Sequence, residues 1–536
     1  MAASPPSRPG GGLFTDARSC KDWLGALPVT SIPMAQQHLL EAIRAFNRSE
    51  LDPLERLKCL ELLREKVAFL QGEQRSRFFG KTLPLSSIDQ TAWTTGRSLL
   101  EEMEAGYRLC LTAAQAGERG IADHAALAAQ RVMRAIGAQM LFHAMVYRRF
   151  DGGLWQRLHA EFEAAERGGL VDAQVKDSLE GEDGLSTVGE AYVNALLLQA
   201  ADLAEMTAPQ IDFLEAVLRR WVRKVRVARE VPAGESTGGG ARVLGVDLSR
   251  PVGAFAPAGL RAAASERVLD VEQLSRSIRR RVKALQAGES VANLGLPEAA
   301  AGVDMLSQLQ RMHRCWCEGG LRPPGRVPPE KEAGVVFGFP DIHFYVSGCE
   351  PFDQPDKPRE LTRQEKDDIA VFGKVSERSQ KLRVADYNFV VESWGVLEES
   401  LGAWRLLRPA SASRGVALGR VVAVRVGASA PYFLGVVKSL VQETDGRIEI
   451  TVGLLPGKPE AVAVRVADLR SRQASSWTQA FRLPPLERLG IPESFVVPGG
   501  LGSRGRGMEV WRGEAKESTV REVLERGADF DRITLG

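Results

Sequence analysis

The feature that most constrains the fold is a change in hydrophobic periodicity along the chain. Across residues 34–230, apolar side chains recur at helical spacing, as in "MAQQHLLEAIRAF". From about residue 386 they occur in short alternating runs, such as "AWRLLRP", "RIEITVGLL" and "AVAVRV", with turn sequences such as "TDGR" between them. The first pattern is typical of helices and the second of strands. Because 536 residues exceed one ordinary core, the sequence predicts a multidomain α + β protein.

The predicted domain boundaries follow breaks in composition. The first residues, "MAASPPSRPGGGLFTD", are rich in Pro and Gly, and "EVPAGESTGGGA" has the composition of a linker. The stretch 121–149 is apolar nearly all round, so we expect it to be the central helix of a bundle. We therefore expect a disordered tail (1–33), an all-α helical bundle or array (34–230), a mixed α/β middle domain (242–350), a small antiparallel β-barrel (370–475) and a C-terminal β extension (476–536).

Bulk composition argues against several classes of protein. The content of 44% hydrophobic and 26% charged residues is typical of globular chains. A net charge of +2 provides no global field towards nucleic acid or anionic lipid. No stretch of about 18 uncharged apolar residues occurs, so we expect no membrane span. The six cysteines are scattered, which favours a reducing compartment, and we expect a cytoplasmic location.

The catalytic and metal-binding motifs in the sequence are all incomplete. The glycines of "GGLGSRGRG" (499–507) precede the strand-like "MEVW", whereas those of a dinucleotide site open a helix. "FFGKT" (78–82) lacks the first glycine of a phosphate-binding loop, because Arg75 stands at that position. The histidine and two cysteines of "HRCWC" (313–317) cannot share one helix face. We therefore expect no enzymatic activity, no catalytic residue and no metal.

Two basic runs, "RRWVRKVRVAR" (219–229) and "RSIRRRVK" (276–283), carry a high density of Arg and Lys. Trp221 and Val225 lie at helical spacing, which favours amphipathic helices whose charged faces meet solvent or a protein. The alternative is that these Arg-rich helices bind an anion or nucleic acid, because arginine neutralises phosphate charge. We expect nucleic acid not to be the partner.

The stretch "VLEESLGAWRLLRP" (396–409) lies between two strand-like runs. It resembles the second motif of PilZ domains, Asp/Asn-x-Ser-x-x-Gly, which is followed by an alternating strand. Glu398 takes the acidic position, Ser400 the serine and Ala403 the last glycine, so that two of the three positions depart from the motif. Arg405 follows on the next strand. The resemblance extends over roughly 375–475, and the whole chain is similar to large bacterial proteins with a helical N-terminal region and a PilZ-like C-terminal domain.

PilZ domains also carry Arg-x-x-x-Arg on a flexible arm upstream of the barrel. The resemblance implies that "ERSQKLR" supplies this arm through Arg378, Lys381 and Arg383. The alternative arm is "RELTR", with Arg359 and Arg363. The implied ligand is cyclic di-GMP, a regulatory ligand rather than a cofactor. Arginine suits it, because the planar guanidinium pairs bidentately with phosphate oxygens and with the O6/N7 edge of guanine.

These observations predict a PilZ-type signalling effector or adaptor in the bacterial cytoplasm. It responds to cyclic di-GMP or has a degenerate, ligand-free barrel, and it binds protein partners through the helical region. In the responsive form, the ligand orders the arm against the barrel and shifts a conformational equilibrium. The alternatives are a helical scaffold or adaptor with no nucleotide ligand, and a protein that binds anions or nucleic acid through its Arg-rich helices.

Overall fold

Helices build the N-terminal region, as the periodicity predicts. The computed structural model describes residues 14–179, 184–230, 243–261, 263–297, 303–319, 331–357, 363–373, 389–412, 414–427, 429–467 and 476–536. Contacts divide the chain into two units, residues 1–324 and 325–536. The helices of the N-terminal region are α1 (Ala17–Gly25), α2 (Ile32–Arg48), α3 (Pro53–Gln74), α4 (Ser87–Gln115), α5 (Ala125–Met145), α6 (Gly152–Arg167), α7 (Val188–Ala200) and α8 (Ala208–Trp221).

Local chemistry fixes where several of these helices begin. Asp52 accepts hydrogen bonds from the backbone N–H groups of Leu54 and Glu55, each at 3.0 Å, and Pro53 supplies the first helical residue of α3.

Helix α5 is buried over most of its surface and packs against α4, α6 and α7. A short hairpin of β1 (Val175–Lys176) and β2 (Leu185–Ser186) lies between α6 and α7 in the sequence.

A small antiparallel sheet follows the helical region within the same unit. Its strands are β3 (Arg226–Ala228), β4 (Val243–Asp247) and β5 (Glu266–Asp270), in the order β3-β5-β4. Two helices follow, α9 (Glu272–Gln286) and α10 (Met305–Cys317). The indole of Trp316, on α10, is buried and donates to the backbone carbonyl of Leu197 on α7 at 2.9 Å. The mixed segment is therefore packed directly on the helical region.

Two closed six-stranded antiparallel barrels build the C-terminal unit. Their strands are β6 (Lys331–Phe337), β7 (Glu392–Glu399), β8 (Ala403–Arg408), β9 (Val421–Val426), β10 (Phe433–Gln442), β11 (Ile448–Leu454), β12 (Glu460–Val466), β13 (Thr478–Leu483), β14 (Ser494–Pro498), β15 (Gly507–Trp511), β16 (Ala515–Arg526) and β17 (Phe530–Leu535). The first barrel has the order β10-β11-β8-β7-β6-β9, and the second has the order β12-β13-β14-β17-β16-β15. Helices α11 (Phe339–Val346) and α12 (Arg363–Phe372) lie between β6 and β7 in the sequence.

The predicted fold class, a helical region, a mixed middle segment and antiparallel β-barrel structure, is confirmed. The elements nevertheless fall differently from the predicted domain ranges. Strand β6, expected in the middle domain, pairs in the first barrel, and β12, expected in that barrel, pairs in the second. Residues 476–536, expected as a C-terminal β extension, supply five strands of the second closed barrel, and α1 lies within the range expected as a disordered tail. Strand alternation shows which residues are buried but not which strands pair, so the spacing alone could not determine these boundaries.

The two barrels share one hydrophobic core around α11. Ile342 of this helix packs in a cluster that includes Val421 from the first barrel and Phe481 from the second. Beside it, the carboxylate of Asp529 accepts from the backbone N–H of Val421 at 2.9 Å and from Arg420 Nε at 3.1 Å. The two barrels therefore pack directly against each other within the C-terminal unit.

A bilayer crossing needs about 20 consecutive apolar residues in one helix. The described part of the chain contains no helix of that kind.

Candidate functional site

The predicted site lies where β7 turns into β8, and we call residues 398–405 the Ser400 corner. Ser400 Oγ donates to the carbonyl oxygen of Ala403 at 2.8 Å and accepts from its N–H at 3.1 Å. The carbonyl of Gly402 accepts from Leu454 N on β11 at 2.9 Å. A hydroxyl has one proton and two lone pairs, so one lone pair of Ser400 remains. The corner can therefore accept a hydrogen bond from a ligand N–H without opening the turn.

Ala403 occupies the position where the PilZ motif has its last glycine. Among the described residues, the non-glycine residues with positive φ are Tyr147, Asp202 and Cys349. Ala403 is not one of them, so the backbone there needs no glycine and the alanine methyl group causes no conformational strain. The departure from the motif at this position is structurally neutral.

A β-bulge places Glu398 on the outer face of the barrel. The pairing of β7 with β8 shifts between Val396 and Glu398, so that Glu398 lies opposite Arg405. Without the extra residue, strict alternation would put Glu398 on the same inward side as the buried Val396. The Glu398 carboxylate instead reaches Arg405 Nη1 at 3.1 Å.

Arg405 is held between two carboxylates. Besides Glu398, Glu449 Oε1 on β11 accepts from Arg405 Nη2 at 2.9 Å and from Nε at 3.2 Å. Partial burial lowers the pKa of Arg405, but hydrogen bonds and charge from Glu449 and then Glu398 outweigh it and raise the pKa above its ordinary value. Arg405 therefore keeps its charge, and an anionic ligand would have to compete with both carboxylates for its N–H groups.

The ion pairs of the Ser400 corner involve more carboxylates than cations among the described residues. Lys331, the first residue of β6, places Nζ 3.5 Å from Glu399 Oε2. With Arg405, these pairs join two cations to three carboxylates, those of Glu398, Glu399 and Glu449. An arm that carries arginines would supply positive charge for a ligand with two phosphates.

Most of the predicted arm residues are not part of the structure described. Arg378, Lys381 and Arg383, and Arg359 of the alternative arm, lie outside the described residues and stay predictions. Arg363 is described: it is the first residue of α12 and is exposed to solvent.

The chain just before β7 is fixed at the end of that strand far from the corner. The ring of Phe389 stacks on Phe344 of α11 with centroids 4.5 Å apart, and the Tyr345 hydroxyl donates to the carbonyl of Phe389 at 3.2 Å. Strand β7 has eight residues, which span roughly 23 Å at about 3.3 Å per residue. An arm that leads into Phe389 must therefore run back along nearly the whole strand to reach Ser400.

Strand β6, in contrast, begins beside the corner. It is antiparallel to β7, with Lys331 paired with Val396. In the sequence, "RPPGR" precedes this strand, and Arg322 and Arg326 have the same Arg-x-x-x-Arg spacing. Both lie outside the described residues. Arg326 is five residues from Lys331, a reach of up to about 18 Å. The sequence interpretation did not consider this pair, because it did not recognise β6 as a barrel strand.

The basic runs do not form two uninterrupted helices. The first is divided, because α8 ends at Trp221 and β3 begins at Arg226, whereas the second lies within α9. Arg281 of α9 lies over the Trp221 ring at 5.3 Å. Several of the cations have nearby carboxylates, namely Arg219 with Glu215 (3.0 Å), Arg223 with Glu190 (3.3 Å), Arg229 with Glu166 (2.6 Å) and Arg276 with Glu272 (3.3 Å).

Comparison with known proteins identifies a receptor-like class. Residues 18–232 match the family model described as the N-terminal domain of the cyclic-di-GMP receptor FimW. The curated cyclic-di-GMP receptor FimW of Pseudomonas aeruginosa strain PAO1 is 24% identical over 358 residues, which cover 65% of this chain and 57% of the relative. The chain thus spans somewhat more than half the length of that relative. No solved structure matches the chain. The chain is therefore similar to a cyclic-di-GMP receptor, and the family-model match covers its helical region.

Proposed function

We propose that this chain is a cyclic-di-GMP-responsive signalling protein of the PilZ type, located in the bacterial cytoplasm, that acts through protein partners and catalyses no reaction. The similarity to a cyclic-di-GMP receptor supports the identity of the ligand. The observation that carries the position of the site is the β6–β7 register, which brings the start of β6 beside Glu399.

In the proposed complex, the ligand lies on the outer face of the first barrel at the Ser400 corner. The remaining lone pair of Ser400 accepts from a guanine N–H. Arg405 turns from Glu398 to a phosphate or to the O6/N7 edge of guanine, where a bidentate contact is available. Arg326, five residues before β6, supplies positive charge that the corner lacks. This assignment is an alternative to the arm formed by Arg378, Lys381 and Arg383.

The helical region is proposed as the surface for protein partners. Ligand binding would fix the segment before β6, and the response would be a shift between conformations that a partner distinguishes. This step needs no chemistry on the ligand, in keeping with a receptor rather than an enzyme.

A ligand-free adaptor is the second candidate, and the contacts of the corner favour it. The Ser400 hydroxyl already closes the turn, and Arg405 already has two carboxylate partners. In this alternative, the ion pairs simply stabilise the barrel surface.

Calorimetric titration of the full chain with cyclic di-GMP separates these candidates. We expect a dissociation constant in the micromolar range or below for the wild type. The variant Arg326→Ala should weaken binding at least about 10-fold, because a lost bidentate contact costs about 1–3 kcal/mol. The matched variant Arg383→Ala should bind like the wild type.

The two variants also define the outcomes that oppose the proposal. Loss of binding in Arg383→Ala alone would return the arm to the segment before β7. Absence of heat with the wild type up to about 100 μM ligand would favour the adaptor.

A further inference from the structure

Two arginines of the helical region pack on the same tryptophan ring. The guanidinium carbon of Arg97, on α4, lies 5.3 Å from the ring centroid of Trp93, and that of Arg148, just after α5, lies 4.7 Å from it. Trp93 is buried, and its Nε1 donates to the carbonyl of Phe142 at 2.8 Å. The indole is therefore a fixed platform for two neighbouring cations.

The backbone after α5 directs Arg148 to this platform. Tyr147 has the left-handed conformation, with φ of 53°, which is uncommon for a bulky residue. The Tyr147 hydroxyl donates to the carbonyl of Met206 at 3.0 Å, and Arg148 N donates to the carbonyl of His143 at 2.9 Å. These contacts fix the turn, so the position of Arg148 over Trp93 is determined by the fold rather than by a free side chain.

The Nε atoms of Arg97 and Arg148 are both buried without a hydrogen-bond partner among the described residues. Arg97 has one longer carboxylate contact, Glu101 Oε1 at 3.4 Å from Nε. Arg148 forms no ion pair among the described residues. Burial lowers the pKa of Arg148, and the charge of Arg97 lowers it further. A negatively charged group bound here would offset the repulsion between these two neighbouring cations.

His143 adds an uncharged polar group to the same place. Its ring lies 5.5 Å from Trp93, centroid to centroid, and its Nδ1 is buried without a partner. Burial, with Arg97 and Arg148, lowers the pKa of His143 to about 4, while Asp151 opposes the shift. Asp151 itself caps α6 by accepting from Leu154 N at 2.8 Å. At neutral pH the imidazole is therefore uncharged and can hydrogen-bond to a ligand.

We propose that Arg97 and Arg148, supported by Trp93, form a binding site for the phosphate group of a small molecule. Each guanidinium can present a planar pair of N–H donors to phosphate oxygens, and both side chains remain partly exposed, so a ligand can reach them from solvent. The site lies in the helical region and does not depend on the Ser400 corner.

Thermal unfolding of the full chain in inorganic phosphate, at constant ionic strength, tests the proposal. Phosphate at tenfold excess over its dissociation constant should raise the midpoint of the wild type by about 2 °C or more. Arg148→Met should abolish this rise and should be no less stable than the wild type in phosphate-free buffer, because it removes a partly buried cation without a partner. The control Arg167→Met removes an exposed arginine whose carboxylate contact, Glu163, is 4.0 Å away, and it should keep the full rise.

A second pair of titrations keeps the test decisive if Arg148→Met does not fold. Arg97→Gln keeps a polar side chain on α4 and should raise the dissociation constant of pyrophosphate, measured by calorimetry, at least about 10-fold. Cyclic di-GMP titrated into the same variant should give the wild-type heat, because its proposed site is on the first barrel. No phosphate effect on the wild type, or an equal effect in Arg148→Met and Arg167→Met, would overturn the proposal.

Discussion

At the scale of single residues, Glu398 determines how readily the Ser400 corner accepts an anion. The β-bulge turns this carboxylate outwards, where it contacts Arg405 and contributes to the excess of negative charge. An aspartate, as in the PilZ motif, has a shorter side chain and would not reach the guanidinium in the same way. Glu398 thus stands at the acidic position of the motif, but its carboxylate pairs with Arg405, the arginine that a ligand would use.

Replacement of Glu398 should therefore strengthen ligand binding. We expect Glu398→Gln to lower the dissociation constant for cyclic di-GMP by roughly three- to tenfold, as expected for loss of one exposed competing charge. Calorimetry of the full chain measures the effect. Glu460→Gln, which removes an exposed carboxylate paired with Arg482 on the second barrel, is the matched control and should change nothing. Weaker binding of Glu398→Gln would contradict the proposed geometry.

A second residue-scale prediction concerns a buried ion pair of the first barrel. Arg408 is 1% exposed, and its Nε donates to Glu392 Oε2 at 3.3 Å. Glu392 also accepts from Trp394 Nε1 at 3.0 Å and from Arg414 N at 2.9 Å. Glu392→Ala leaves the guanidinium without its carboxylate and should reduce the free energy of unfolding by about 3–5 kcal/mol. Urea unfolding measures this, with the exposed Glu332→Ala as control at less than about 0.5 kcal/mol.

At the scale of elements, helix α3 and helix α4 each contain an interior glycine, but for different reasons. A Cβ atom at Gly72 on α3 would meet nothing within 4 Å, whereas one at Gly106 on α4 would lie 2.8 Å from Asn47 Oδ1 and 2.8 Å from Leu60 Cδ2. Gly106 therefore permits the close approach of neighbouring helices, whereas no other part of the chain packs closely against Gly72.

The two glycines should respond to alanine in opposite directions. Gly72→Ala should increase the free energy of unfolding by about 0.5–1 kcal/mol, because it reduces the entropy of the unfolded chain without a clash. Gly106→Ala should lower it by about 1–3 kcal/mol through overpacking. Thermal and urea unfolding of the two variants side by side would refute this account if they shift in the same direction.

His343, on helix α11, makes the stability of the C-terminal unit depend on pH. His343 lies in the core between the barrels, and its Nε2 is 3.3 Å from the carbonyl oxygen of Val462. Burial lowers the pKa of His343 to about 4, although the Val462 carbonyl opposes the shift. The unfolded chain binds the proton near its ordinary pKa of about 6.5 and the folded chain does not. The associated stability is therefore complete above about pH 6.5 and is lost as the pH falls towards about 4.

The expected size of this effect is about 1.4 kcal/mol per pH unit below about pH 6.5. Urea unfolding of the wild type and His343→Leu at about pH 7 and about pH 5 isolates it, because the leucine variant cannot bind the proton. We expect the difference in unfolding free energy between the two proteins to change by about 2 kcal/mol in favour of the leucine variant at the lower pH. Parallel pH curves would exclude His343 as the cause.

At the scale of the whole molecule, periodicity predicted the order of helical, mixed and β regions, because the local spacing of apolar residues distinguishes helices from strands. It could not predict the two barrels. Strand β6 pairs with β7 although α11 and α12 lie between them in the sequence, and strand pairing of this kind leaves no local signal. The same limit applies to the candidate site. The Ser400 corner is one continuous turn, so the sequence alone could indicate it. The choice of the proposed arm depends on which strand pairs with β7, and the sequence does not show this.

The central claim is that cyclic di-GMP bridges the Ser400 corner and the segment before β6, and hydrogen exchange of the full chain with and without ligand tests it most directly. The account predicts slower exchange in residues 325–330 and in residues 398–405 when cyclic di-GMP is added. Protection confined to residues 374–388, or no protection at the corner at saturating ligand, would contradict it.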